Sequence, residues 1–132
     1  MGVLKVFLDK ITNLADDDKI GESDPYVLFE LEQDNALFDK NFGERKSSKK
    51  KDEQNPVYGE TFTFADVPSL HNLVLKVKVM DDDIVGDDKV GSVDIKLDRT
   101  GLQDGPVEES WVIDNNWFSK DAQVFLRLTW SE

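Results

Sequence analysis

Five aspartates fall within eight residues in the second half of the chain, and their carboxylates are the side chains best suited to do chemistry. The stretch 79–91 reads V-M-D-D-D-I-V-G-D-D-K-V-G and contains Asp81, Asp82, Asp83, Asp87 and Asp88. Carboxylates this close together repel one another unless a cation lies between them. Oxygen ligands on a flexible loop suit Ca²⁺ better than Mg²⁺, which demands a stricter octahedral geometry. The stretch therefore predicts a calcium-binding loop.

A second acidic stretch lies nearer the N-terminus, where residues 16–25 read D-D-D-K-I-G-E-S-D-P. Alternating apolar residues flank both stretches, which indicates that each is a loop between two strands. The loops of a β-sandwich cluster at its two ends, so the two stretches could surround one cation if they share an end. The aspartates at the mouths of these loops are Asp18, Asp24, Asp81, Asp83 and Asp88.

Two other interpretations of the aspartates are less favoured. An EF-hand would need flanking helices and a glutamate at its twelfth position, where one stretch has Val27 and the other has Ser92. A single run of aspartates is most often a solvated loop. Two runs that each open with three aspartates and close with an aspartate just before a strand favour the metal site.

The elements that would position these residues are strands. Apolar and polar residues alternate over several segments, and no segment shows helical periodicity for more than a turn or two. The predicted strands cover residues 4–9, 26–32, 61–64, 72–80, 91–97, 109–113 and 124–130, while residues 36–44 are either a further short strand or a loop. We therefore expect an all-β fold, an eight-stranded antiparallel Greek-key β-sandwich formed by residues 1–132 as one domain. The tryptophans and most of the phenylalanines are assigned to its core.

Composition narrows the classes of function. The net charge of −12 and the pI near 4.4 argue against binding nucleic acid through bulk charge. Anionic lipid would also be repelled unless some of this charge is neutralised locally. The chain has no cysteine, no apolar run of eighteen residues and no signal-peptide pattern, which predicts a cytoplasmic protein. Since His71 is the only histidine and no G-x-S-x-G motif occurs, catalysis has no support and the chain is predicted not to be an enzyme.

Three motifs follow one another along nearly the whole chain: S-D-P-Y-V at 23–27, N-P-V-Y-G-E-T-F at 55–62 and D-x-D-x4-D-x2-G at 81–91. Together they resemble the C2 domain, the calcium-and-lipid module found in protein kinase C and the synaptotagmins. The resemblance implies two or three Ca²⁺ ions held by Asp18, Asp24, Asp81, Asp83 and Asp88, with the carbonyl of Asp82 as a further ligand. The chain begins at the strand just before the first calcium loop, which resembles the permuted strand order of the phospholipase C-δ type.

Candidate lipid contacts lie at the loop tips and in a basic cluster. Ile20, Ile84 and Val85 are apolar residues at the tips of the acidic loops, where they could insert into lipid or pack on one another. The basic cluster consists of Arg45, Lys46, Lys49, Lys50 and Lys51. In C2 domains a lysine-rich strand in this region can bind phosphoinositide headgroups, for which clustered lysines have a physical reason. The alternative is a charged edge strand that prevents pairing with another sheet.

These features predict a signalling module that docks to anionic phospholipid membranes when Ca²⁺ binds its two aspartate loops. We expect a monomer that a calcium rise recruits from the cytoplasm to the membrane periphery, with no nucleic acid partner; a protein partner is left open. Two alternatives remain. One is a scaffold C2 domain in which calcium is only structural, and the other is a regulatory domain cut from a larger enzyme.

Overall fold

A computed structural model describes residues 1–14, 24–51, 55–83, 86–114 and 122–132, with the backbone alone for residues 83 and 86–88. Within these ranges the chain forms eight strands. They are β1 (Gly2–Thr12), β2 (Asp24–Gln33), β3 (Lys40–Lys46), β4 (Val57–Val67), β5 (Leu73–Asp83), β6 (Gly86–Lys96), β7 (Val107–Val112) and β8 (Gln123–Ser131). Two antiparallel sheets result, with strand orders β4-β1-β8-β7 and β3-β2-β5-β6. The predicted all-β sandwich is confirmed, and the last strand lies beside the first one, as the permuted order requires.

The core lies between the two sheets and follows from the alternation in the sequence. Leu4, Val6 and Leu8 on β1 are fully buried, and so are Leu75 and Val77 on β5. Each such side chain contributes about 1.5–3 kcal/mol when it leaves water. Trp111, Trp130, Phe42 and Phe62 pack against the core, and Phe29 and Phe64 lie within it. Trp117 lies outside the described residues. Phe38 is an exception, because its side chain is 74% exposed.

Strand β4 is longer than the predicted segment 61–64, and a glycine explains the difference. Leu8 of β1 pairs with Glu60, but Lys10 pairs with Val57, so β4 carries one extra residue at this point. Gly59 adopts a φ of 63°, which accommodates the bulge without steric strain. The glycine interrupts the alternation of apolar and polar residues in the sequence, so the predicted segment is shorter than the strand.

The predicted loop over residues 79–91 is wrong in its extent. Strand β5 continues to Asp83 and β6 already begins at Gly86, so all five aspartates of the stretch belong to paired strands. Aspartate has a low β-propensity, but pairing with the neighbouring strand overrides that local preference. A register shift follows Val79, because Val79 pairs with Gly91 whereas the next residue, Met80, pairs with Lys89.

Chain direction defines two ends of the sandwich. Strand β2 starts where β5 ends and β6 begins, and we call this the acidic end. The connections 34–39, 68–72 and 97–106 lie at the opposite end, which we call the far end. The far end includes two short 3₁₀ turns, Leu97–Arg99 and Leu102–Asp104. In the described part of the chain, no helix is long and apolar enough to cross a membrane.

Candidate functional site

Strand register brings the aspartates of β2, β5 and β6 to the acidic end. Asp24 on β2 pairs with Asp82 on β5, which in turn pairs with Asp87 on β6. In the next row, Asp81 pairs with Asp88. Neighbouring strands lie about 4.8 Å apart, so the backbones of these five aspartates fall within about two strand spacings. Residues far apart in sequence therefore share one small region of the sheet.

The predicted metal ligands divide into three groups by how the structure describes them. Asp24 and Asp81 are described in full and are half-buried, and so is Asp82, whose backbone carbonyl is the predicted ligand. For Asp83 and Asp88 the backbone is described, and both lie in the same hairpin at the acidic end. Asp18 lies outside the described residues, as do the predicted tip residues Ile20, Ile84 and Val85.

Hydrogen bonds fix the start of β2 beside β5. The backbone N–H of Asp24 donates to Oδ1 of Asp81 at 3.2 Å. The next carbonyl, that of Pro25, accepts a bond of 2.8 Å from the hydroxyl of Tyr58 and one of 3.0 Å from the backbone N–H of Lys50. Proline restricts the preceding residue to an extended conformation, which suits the first residue of a strand. Two motifs distant in sequence, S-D-P-Y and N-P-V-Y-G, thus meet directly behind the acidic end.

The buried phenol of Tyr58 helps to hold the start of β2 in place. Burial, and then the charge of Glu60, raise the pKa of Tyr58 well above its ordinary value. The phenol therefore stays protonated across the physiological range and keeps its donor for Pro25.

Lysines of the basic cluster border the acidic end. The ammonium of Lys49 lies 2.6 Å from Oδ2 of Asp82, with the two side chains 41% and 32% exposed. The ammonium groups of Lys46 and Lys49 also lie over the ring of Tyr26, at 4.6 and 5.6 Å from its centre. Lys50 lies over the ring of Tyr58 at 5.7 Å. Cation–π contacts of this kind hold a lysine in place without neutralising it. We call Lys46, Lys49 and Lys50 the lysine surface.

The ion pair of Asp82 is compatible with the role that the family resemblance implies for this residue, which stays a prediction. That role uses the backbone carbonyl of Asp82 as the ligand, which leaves its carboxylate for Lys49. The pair joins the basic cluster to the aspartate site across 33 residues of sequence.

Hydrogen bonds attach the segment that carries the lysine surface to β2. The backbone N–H of Ser47 donates to the carbonyl of Val27 at 2.9 Å, and Oγ of Ser47 accepts from the N–H of Val27 at 2.8 Å. Ser48 bonds the carboxylate of Glu60 through both its N–H, at 3.0 Å, and its hydroxyl, at 2.5 Å. The lysines after β3 therefore extend from an anchored backbone.

Arg45 differs from these lysines, because its guanidinium donates to backbone carbonyls. Nε bonds Thr63 at 3.1 Å and Nη1 bonds Glu44 at 3.0 Å. Arg45 and Lys46 lie on β3, which is an edge strand of its sheet, so the alternative of a charged edge fits these two residues. The other members, Lys49–Lys51, follow the end of β3 and are not explained by it.

The donors at the acidic end suit a hard divalent cation. They are carboxylates and backbone carbonyls, and Ca²⁺ takes six to eight such oxygens. The single histidine, His71, belongs to a connection at the far end. Among the described side chains at the acidic end, the ammonium of Lys49 is paired with Asp82, and Asp24 and Asp81 are two further half-buried carboxylates. The residues present therefore fit calcium.

A second acidic cluster at the far end was missed by the sequence reasoning. The carboxylate oxygens of Glu32, Asp34 and Asp39 lie within 4.8 Å of one another. Glu32 also faces the ammonium of Lys76 at 3.5 Å, and its charge is the main reason that the pKa of Lys76 is raised. The available signal was three acidic residues within eight positions around a turn. Exposed acidic groups often cluster without a metal, and we assign no ion to this group.

Comparison with known proteins decides the family. The model of the C2 domain family matches residues 2–113. The chain belongs to the C2 domain family. Synaptotagmin-C of Diplobatis ommata is 38% identical over 113 residues, which cover 83% of this chain and 19% of that protein. The chain spans about a fifth of the length of the curated relatives it matches.

Solved C2 structures share the fold. A C2 domain of plant Extended Synaptotagmin 1 superposes with a TM-score of 0.77 at 22% identity, covering 98% of this chain and 94% of that one. The calcium-bound pair of C2 domains of Extended-Synaptotagmin 2 gives a TM-score of 0.72 at 22% identity, covering 98% of this chain and 45% of that one. The family predicted from the three motifs is confirmed.

Proposed function

We propose that this C2 domain docks to anionic phospholipid membranes when calcium binds between its two aspartate-rich stretches. The observation that carries the proposal is the register of β2, β5 and β6, which gathers Asp24, Asp81 and Asp82 with the backbones of Asp87 and Asp88 at one end. Membership of a family of calcium-and-lipid modules supports it further. On this proposal the protein moves from the cytoplasm to the membrane periphery when calcium rises.

The aspartates would act as an electrostatic switch. Without a cation, their charges concentrate part of the net charge of −12 at one place and repel anionic headgroups. Two or three bound Ca²⁺ ions would supply positive charge and open coordination positions for lipid phosphate or carboxylate. The ligands proposed for this role are Asp18, Asp24, Asp81, Asp83 and Asp88, together with the carbonyl of Asp82.

The hydrogen bond from Asp24 to Asp81 would make the site less costly to assemble. It holds the start of β2 against β5 before any ion arrives. Pro25 and Tyr58 support the same position from behind. In a preorganised site the chain loses less conformational entropy when the ion binds, so these contacts favour ion binding.

The lysine surface is the proposed contact for phosphoinositide headgroups. Its three ammonium groups lie on the rings of Tyr26 and Tyr58, next to the acidic end. A membrane that meets the acidic end would meet these lysines as well. Lys51 is exposed and extends the same charge. Lys49 would exchange its ion pair with Asp82 for a headgroup, whereas the donors of Arg45 are engaged by backbone carbonyls. Insertion of Ile20, Ile84 and Val85 into lipid stays a prediction from the sequence.

Co-sedimentation with vesicles tests the proposal. We expect the wild-type protein to bind phosphatidylserine vesicles in Ca²⁺ and to be released by EGTA. Phosphatidylcholine vesicles should bind much less, because they offer no net negative charge to the bound ions. Equal binding in Ca²⁺ and EGTA would contradict a calcium switch, and binding to neither vesicle would favour a scaffold in which calcium is only structural.

A further inference from the structure

Two large apolar side chains are exposed on the connection between β2 and β3, which we call the hairpin tip (residues 34–39). Leu37 is 92% exposed and Phe38 is 74% exposed. Single exposed apolar residues are common and need no explanation. Two adjacent exposed apolar side chains at the tip of a hairpin form a compact apolar patch, which could anchor a protein interface by packing on apolar side chains of a partner.

The base of the hairpin tip is held in place, so its exposure is a property of the fold. The backbone N–H of Asp34 donates to the carbonyl of Asn72 at 3.0 Å. The buried side chain of Gln33 donates to the carbonyl of His71 at 2.8 Å. Within the tip, the N–H of Asn35 donates to Oδ1 of Asp39 at 3.4 Å. These bonds attach the tip to the neighbouring connection 68–72, which lowers the entropy lost when a partner binds.

Charge around the tip indicates what it would bind. Asp34 and Asp39 are exposed, and within the described ranges neither carboxylate lies in an ion pair. Glu32 lies beside them and is paired with Lys76. Leu37 and Phe38 are thus flanked by two carboxylates that lie in no described ion pair. The ammonium of the next residue, Lys40, lies over the ring of Phe42 instead.

We propose that the hairpin tip is a docking site for a protein segment that combines apolar side chains with lysine or arginine. Leu37 and Phe38 would pack on the apolar side chains of that segment, and Asp34 and Asp39 would face its basic ones. This proposal is independent of calcium and does not rest on the proposed lipid function.

Charge and position argue against other occupants. A membrane is disfavoured, because the flanking carboxylates would repel anionic headgroups. A second copy docked through the same tip would bring four aspartates together, which is also unfavourable. Strand β2 spans ten residues, about 30 Å, between the acidic end and the hairpin tip. A partner at the tip would therefore leave the acidic end free for a membrane.

Peptide display provides the test. Random 12-residue peptides are selected in EGTA on the wild-type protein and counter-selected on Leu37→Ala/Phe38→Ala. We expect the selected peptides to combine two or more apolar residues with lysine or arginine. A synthetic peptide of this kind should bind the double variant at least ~30-fold more weakly, the loss typical of a hot spot.

Two further variants separate charge from apolar contact. Asp34→Asn/Asp39→Asn should weaken the same peptide several-fold and reduce its salt dependence. Val57→Ala/Val112→Ala is the matched control, because it removes two other exposed apolar side chains, 62% and 58% exposed, and should leave binding unchanged. Unchanged melting temperatures would show that the variants are folded.

Several results would overturn the proposal. They are selection of no peptide that depends on the tip, selection of peptides without basic residues, and equal weakening by the control variant. Phosphatidylserine vesicle binding that falls selectively in Leu37→Ala/Phe38→Ala would assign the tip to a membrane. Concentration-dependent dimers in sedimentation that this variant abolishes would assign it to a second copy.

Discussion

Replacing Tyr58 with phenylalanine tests whether its hydrogen bond to Pro25 stabilises the start of β2 at the acidic end. The effect of this substitution on the free energy of unfolding should depend on pH. The variant loses the 2.8 Å hydrogen bond from the Tyr58 hydroxyl to the carbonyl of Pro25. That carbonyl keeps its 3.0 Å bond from the N–H of Lys50, so it is not left unsatisfied. We therefore expect the free energy of unfolding to fall at neutral pH by about 1 kcal/mol, the usual net value of one hydrogen bond.

Alkaline pH should remove this difference. Burial raises the pKa of Tyr58 in the folded state, whereas in the unfolded chain it is about 10. The stability due to this shift is fully present below about pH 10 and is lost at higher pH, because only the unfolded chain releases the proton. The loss is about 1.4 kcal/mol per pH unit, so by about pH 11 it matches the contribution of the hydrogen bond.

Urea unfolding followed by tryptophan fluorescence at several pH values from about 8 to 11 measures both effects. The free energy of unfolding of the wild-type protein should exceed that of the variant by about 1 kcal/mol at pH 8, and the two values should be equal near pH 11. Groups shared by the two proteins, including Lys76 with its raised pKa, cancel in the comparison. A gap that stays constant over the whole range would refute the burial of a protonated phenol at this position.

Three more predictions follow from the structure. An ion that binds only the folded state at a hundred times its Kd adds about 2.7 kcal/mol, so the melting temperature should rise in Ca²⁺ and much less in Mg²⁺; equal shifts would indicate general charge screening. Replacing Lys49, Lys50 and Lys51 with alanine should weaken binding to phosphoinositide vesicles and spare phosphatidylserine vesicles; unchanged phosphoinositide binding would leave only structural roles for these lysines. Gly2→Ala should lower the melting temperature, because a Cβ there would overlap the ring of Trp130; an unchanged melting temperature would mean that the ring moves aside freely.

The fold could be predicted from sequence because period-two alternation depends only on which face of a strand is buried. The same signal failed where backbone pairing decided the outcome. The predicted strand 61–64 stops short of Gly59, which forms a bulge within the longer strand β4. Asp81–Asp83 read as a loop but continue β5, because β2 and β6 flank them on both sides.

Residue type and spacing in the sequence indicated a candidate set of aspartates, whose role as ligands stays a prediction. The tertiary contacts around them could not be predicted from the sequence. The ion pair between Lys49 and Asp82 depends on how the segment after β3 lies against β2. Most of the phenylalanines were expected in the core, and Phe38 is an exposed exception on the β2–β3 connection.

Calcium-bridged docking is tested most directly by vesicle co-sedimentation of Asp81→Asn/Asp83→Asn, which changes the net charge from −12 to −10. If calcium bridges the aspartates to the lipid, this variant should not bind phosphatidylserine vesicles at any practical Ca²⁺ concentration. Asp34→Asn/Asp39→Asn makes the same change in charge at the far end and should bind like the wild-type protein. Calcium-independent binding by Asp81→Asn/Asp83→Asn would contradict the bridge and favour simple charge screening.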